Sequence, residues 1–140
     1  MKKSQNTDVV EDLNRLMAEE LEAYLRYFQL RFRLRGTDLL TAQTFFEKAM
    51  DETREHAEAI AKHIRVLGHT PHLNIKLEVS GGPIRLKDAL QEALVFEQQA
   101  LDAYKECLPR VEGNTGLEDF IRQQIATETE HVQEIAMLVE

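Results

Sequence analysis

Glu20-Leu21-Glu22-Ala23-Tyr24-Leu25-Arg26-Tyr27 and, 77 residues later, Glu97-Gln98-Gln99-Ala100-Leu101-Asp102-Ala103-Tyr104 repeat one pattern: glutamate, alanine three residues on, tyrosine seven residues on. A second pair, Thr53-Arg54-Glu55-His56 and Glu128-Thr129-Glu130-His131, recurs at an offset of 75 and keeps the histidine. Apolar matches extend both overlays: Leu13 on Leu90, Phe45 on Phe120, Ile60 on Ile135 and Ala61 on Ala136. Spacings of three, four and seven are helical, so two helices are followed by two copies of themselves.

Glycine and proline divide the chain in the same way. Gly36, the stretch Gly68–Pro83, and Gly113 with Gly116 interrupt four apolar-periodic segments. The spacing predicts helices over about 8–35, 38–67, 84–110 and 116–139, with starts marked by Asp8 with Glu11 and by Thr115 with Glu118. The short breaks predict antiparallel hairpins. Residues 68–83 have no helical period and could span about 50 Å when extended, more than the roughly 42 Å of a 28-residue helix. A crossover of that reach makes the second and third helices parallel. The expected fold is therefore all-α, a four-helix bundle of two antiparallel hairpins joined by a long crossover, formed by residues 1–140 as a single domain.

In three of these helices a carboxylate interrupts a largely apolar stripe near its middle. The stripes are Val10, Leu13, Met17, Glu20, Tyr24, Tyr27; then Leu86, Leu90, Ala93, Glu97, Leu101, Tyr104, Leu108; then Leu117, Ile121, Gln124, Glu128, His131, Ile135, Leu138. A buried, unpaired carboxylate costs several kcal/mol, so each must be protonated, paired or bound to a metal. A single mid-helix glutamate is usually solvated, and Tyr27 and Tyr104 taken singly read as core aromatics. Recurrence at matching heights of a doubled hairpin favours a shared site. Oxygen and imidazole donors without thiolate suit iron, manganese or zinc.

These segments resemble the bacterioferritin and ferritin family over nearly the whole chain. Leu13-Asn14-Arg15-Leu16-Met17-Ala18-Glu19-Glu20-Leu21 is similar to the family's first helix, and Arg54-Glu55-His56-Ala57-Glu58 to its second. The resemblance implies a di-iron site with Glu20, His56, Glu97, Glu128 and His131 as ligands, with Tyr27 and Tyr104 beside it. It also implies oxidation of Fe(II) by dioxygen or peroxide, storage or detoxification of iron, and a homo-oligomer. Three departures qualify it. The bridging carboxylate of the second helix falls at Thr53, the haem-holding methionine falls at Arg54, and nine residues follow His131, too few for the short fifth helix of many cages. No haem is expected, and a dimer competes with a cage.

Two Fe(II) bring four positive charges against the three carboxylates Glu20, Glu97 and Glu128. The second ion binds weakly, a further anion is recruited, or Glu52 reaches in as a weak extra ligand rather than remaining a solvated surface residue. His63, two turns beyond His56, is expected to lie too far along the axis to join. A ferroxidase is the leading reading, a metal carrier without turnover the second, and a metal-free helical oligomer with a buried polar network the third.

The rest of the composition bounds function broadly. A net charge of −8 supplies no basic stripe for nucleic acid. No apolar run approaches a membrane span, and Met1-Lys2-Lys3 is followed by no apolar signal core. Cys107 is the lone cysteine, which suits a reducing compartment, and the expected location is cytoplasmic.

Overall fold

The computed structural model describes residues 3–140, with side chains from Thr7 onward; Met1 and Lys2 lie outside the described residues. Four helices form: α1 (Lys3–Arg33), α2 (Thr37–Val66), α3 (Leu86–Cys107) and α4 (Thr115–Leu138), with a 3₁₀ turn over Leu108–Val111. They are the two antiparallel hairpins and the long crossover expected. Among the described residues, no helix is long and apolar enough to cross a membrane.

Helix boundaries differ from the sequence reading where the signals are polar. Asp8 and Glu11 lie inside α1, because nothing in the polar stretch before Val9 breaks a helix. The start of α4 is capped by Asn114, whose side chain accepts from the Leu117 amide, one residue earlier than the Thr115 box. Glu118 closes the cap by accepting from the Gly113 amide at 2.6 Å. Pro109 lacks an amide hydrogen, and the end of α3 tightens into the 3₁₀ turn at that point. Gly36, at φ 63°, takes the left-handed conformation that turns α1 into α2.

Parallel α2 and α3 are tied at their shared end. Asp38, in the first turn of α2, accepts from the Leu86 amide at 3.1 Å and from Arg85 Nε at 2.8 Å, so one helix caps the other. This contact holds the Asp38 carboxyl below its usual range, through the Arg85 hydrogen bond first and the Leu86 amide second.

The crossover is held by one stripe of α1. Asn14 and Glu22 accept from the amides of His72 and Lys76, at 2.9 and 3.0 Å. Arg26, Gln29 and Arg33 donate to the carbonyls of Glu78, Ser80 and Gly82, at 3.1, 2.9 and 2.8 Å. Positions 14, 22, 26, 29 and 33 follow one helical face. The crossover ends in a single parallel bridge between Leu34 and Ile84.

Two apolar layers fill the bundle. One gathers Leu13, Leu16, Ile60, Ile64, Cys107 and Ile121; the other gathers Leu30, Leu34, Phe46, Met50, Leu90 and Ile135. Each such side chain contributes about 1.5–3 kcal/mol on burial, which offsets the cost of the polar layer between them. Of the expected apolar stripe on α4, Leu138 is instead exposed, since it ends the helix beyond the second layer.

Candidate metal centre

Glu20, Glu97 and Glu128 are 2 %, 3 % and 1 % exposed, an unusual burial for charged residue types. Each comes from the middle of its helix, where the apolar stripe carries it inward with its neighbours. His56 and His131 close the group on the side of α2 and α4, with rings 6.4 Å apart and nearly parallel at 21°.

The donor atoms fall into two groups: Glu20, His56 and Glu128, then Glu97, Glu128 and His131, with donor atoms in each within 4.8 Å of one another. Glu128 belongs to both. His56 Nδ1 lies 3.5 Å from Glu20 Oε2 and 3.7 Å from Glu128 Oε1. His131 Nδ1 lies 3.7 Å from both Glu97 Oε2 and Glu128 Oε1. The structure thus brings together all five residues that the sequence pointed to.

The tyrosines cross between halves. Tyr27 of α1 donates to Glu97 Oε1 of α3 at 3.0 Å, and Tyr104 of α3 donates to Glu20 Oε1 of α1 at 2.8 Å. Each bond occupies one carboxylate oxygen and leaves the other facing the centre. Burial, reinforced by the adjacent carboxylates, pushes both phenols well above their ordinary value, so they stay protonated donors.

Several inward atoms have no hydrogen-bond partner: His56 Nδ1, Glu97 Oε2 and Glu128 Oε2. Orphaned buried acceptors of this kind are costly unless a cation satisfies them. The five side chains of the two donor groups, two imidazoles and three carboxylates, fit first-row divalent ions.

Without a cation, protons hold the charge. Burial pushes Glu128 up to about 9, helped by its carboxylate neighbours and opposed by His131. The neighbouring carboxylates of Glu128 and Glu97 push the His131 imidazole up to about 10, against its burial. Burial likewise raises Glu20, against the pull of His56. Glu97 is the exception: burial raises it, but His131, Glu128 and Tyr27 together bring it below the ordinary value.

Thr53 is buried at the position equivalent to Glu128, yet its hydroxyl turns back on its own helix. It donates to the carbonyls of Ala49 and Met50, at 3.1 and 2.9 Å. Glu52 reaches the site from α2, with Oε2 2.8 Å from His131 Nε2, the nitrogen facing away from the donor groups. His63 packs on the ring of Phe120 at 4.4 Å and joins neither group. Arg54 is exposed and pairs with Glu58 at 3.4 Å.

A cavity of about 420 Å³ opens onto His56 and His131 between α2 and α4, with Lys48, Thr127, Glu130 and Glu134 in its wall. The sequence reading missed these wall residues. The signal was present, since 127 and 134 are four before and three after His131 on one helical face.

The description "ferritin-like domain" belongs to a family model that matches residues 10–140. No curated protein sequence matches the chain significantly. Among solved structures, a ferritin-like, diiron-carboxylate protein from Bacillus anthracis str. Ames is 25% identical, each chain covered in full, with TM-score 0.87. The Desulfovibrio desulfuricans bacterioferritin, described with a diiron site, is 21% identical over 97% of this chain and 80% of its own, TM-score 0.88. A DPS protein from Vibrio cholerae O1 is 13% identical over 100% and 94%, TM-score 0.89.

Proposed function

This chain belongs to the ferritin-like domain family, and from that premise we propose that it takes up two Fe(II) ions among Glu20, His56, Glu97, Glu128 and His131 and oxidises them, in iron storage or detoxification. The observation that carries this reading is Glu128 standing in both donor groups, so that two ions held there would share its carboxylate. The likeness to the Bacillus anthracis protein, described as a diiron-carboxylate protein, supports it.

Bound iron supplies the redox chemistry, with dioxygen or peroxide accepting the electrons. The chain supplies geometry. Tyr27 and Tyr104 aim Glu97 and Glu20, Nδ1 of each histidine faces inward, and the apolar layers exclude bulk water above and below. The cavity between α2 and α4 gives small reactants a route to the histidines. Manganese or zinc suits the same donors as a substitute. Aerobic Fe(II) titration, followed by the absorbance of ferric oxo species, tests the reading. Oxidation no faster than in buffer alone would sink it.

Thr53 favours a second reading, binding without turnover, because its hydroxyl is spent on Ala49 and Met50 and brings no fourth carboxylate. That reading expects one tight equivalent of metal per chain by calorimetry, where the first expects two.

A further inference from the structure

The two halves of the site differ twice, and the two differences oppose each other. At the bridging height α4 carries Glu128 and α2 carries Thr53. One residue earlier the assignment is reversed: α2 carries Glu52 and α4, at the same offset of 75, carries Thr127. Glu52 and Thr127 both line the cavity beside the histidines. Glu52 approaches His131 from outside, its Oε2 at 2.8 Å from Nε2, while Nδ1 of the same ring faces Glu97 and Glu128.

We infer that Glu52 is a positioning residue: it accepts the Nε2 hydrogen of His131, fixes the ring so that Nδ1 presents its lone pair to the metal, and returns from outside the ring the negative charge that Thr53 lacks. This inference rests on His131 being a metal ligand. An imidazole nitrogen offers a lone pair only where it carries no hydrogen, so a carboxylate on the far nitrogen decides the tautomer and makes the near one a stronger donor. A carboxylate 2.8 Å from a ring nitrogen is at hydrogen-bonding distance. With Glu52 counted, the charges of four carboxylates balance those of two divalent ions, three facing the ions and Glu52 acting through the His131 ring. Glu52 remains 29 % exposed in its side chain, so it avoids most of the desolvation cost that a fourth buried carboxylate at position 53 would bear.

Calorimetric titration of metal-free protein with Zn(II) tests this in wild type, Glu52→Ala, Glu52→Gln and Thr127→Glu. Glu52→Ala is expected to weaken one equivalent about 10- to 100-fold and leave the other as in wild type. Glu52→Gln keeps an acceptor and should recover part of that loss, and Thr127→Glu should tighten the equivalent held by His56. Nitrogen-15 spectra of the Zn(II)-loaded protein should show His131 protonated at Nε2 with slow exchange in wild type and fast exchange in Glu52→Ala, which a merely structural role would not produce. Wild-type affinity for both equivalents in Glu52→Ala would overturn the inference. So would a Zn(II)-loaded crystal placing a Glu52 oxygen at about 2.0–2.2 Å from the ion, since Glu52 would then be a ligand. If wild type itself takes up no metal, the proposed function fails and the inference with it, a result distinct from either of these.

Discussion

In the α3–α4 hairpin, Glu128 and His131 stand three residues apart and both face the centre; in the α1–α2 hairpin, His56 faces the centre while Thr53 bonds to its own backbone. Apart from Glu52 against Thr127, the rest of the comparison is matched. Glu20 answers Glu97, Tyr104 serves Glu20 as Tyr27 serves Glu97, and the histidine rings lie nearly parallel. The frame is symmetric and the charge it carries is not. A threonine can occupy a buried helical position cheaply because its hydroxyl satisfies itself on the preceding turn. A glutamate there has no such exit and must be protonated, paired or bound to a cation. The difference places the additional buried carboxylate in the α3–α4 half.

Removing the shared residue should break the comparison altogether. Glu128→Ala takes a donor from both groups, and calorimetry with Co(II) should show both equivalents weakened by more than about 100-fold, beyond what loss of an outer-shell partner costs. Retention of one tight equivalent would show that Glu128 serves one ion only.

Thr53→Glu should restore the symmetry. The weaker equivalent should tighten by about tenfold or more and Fe(II) oxidation should accelerate, while the metal-free protein unfolds at a lower temperature because it buries a further carboxylate. If neither uptake nor oxidation changes, position 53 does not face the metals.

Acidity offers a third probe. Glu128, ordinarily near 4.5, is pushed up to about 9, and His131, ordinarily near 6.5, up to about 10. The folded, metal-free chain therefore keeps two protons that the unfolded chain releases earlier. The stability these protons contribute is fully present below the unfolded values and is lost as pH rises through 9 and 10. The melting temperature of the metal-free protein should fall between about pH 6.5 and pH 10. Metal displaces the same protons, so the loaded protein should show a flatter profile, and uptake near pH 8 should release about two protons. A metal-free profile that rises over this window would contradict the assignment.

The smallest effect should come from the tyrosines. Tyr27→Phe and Tyr104→Phe each remove one hydrogen bond to a buried carboxylate, about 1.5–3 kcal/mol at most for a charged acceptor. Thermal unfolding should shift similarly for both, since the two bonds are nearly equal in length. Unequal shifts would carry the asymmetry beyond positions 52 and 53.

Much of this was legible in the sequence for one reason: the chain says it twice. Glu20 with Glu97 and His56 with His131 stand out because an overlay separates repeated residues from incidental ones, and Thr53 stands out because it fails to repeat. What the overlay could not give was the crossed pairing of each tyrosine with the carboxylate of the other half, since a repeat specifies heights and not rotamers. Glu52 was ambiguous from position alone, about a hundred degrees around α2 from residue 53; only the placement of His131 reveals where its carboxylate goes. Helix starts were the weakest part. Polar residues such as Asp8 cap or continue a helix equally well, and Asn114 prevailed over Thr115 by geometry that a motif does not encode.

The grip of α1 on the crossover has a consequence for how this segment can change. All five α1 side chains take hold of main-chain amides and carbonyls, so they register spacing and not side-chain identity. Substitutions along residues 72–81 should pass with little effect, except a proline at 72 or 76, which would delete a gripped amide; Gly82, at φ 101°, resists any side chain. Loss or gain of a single residue would put the gripped atoms out of step with the helix face that holds them. The segment behaves as a ruler laid along α1, tolerant of what is written on it and intolerant of a change in length.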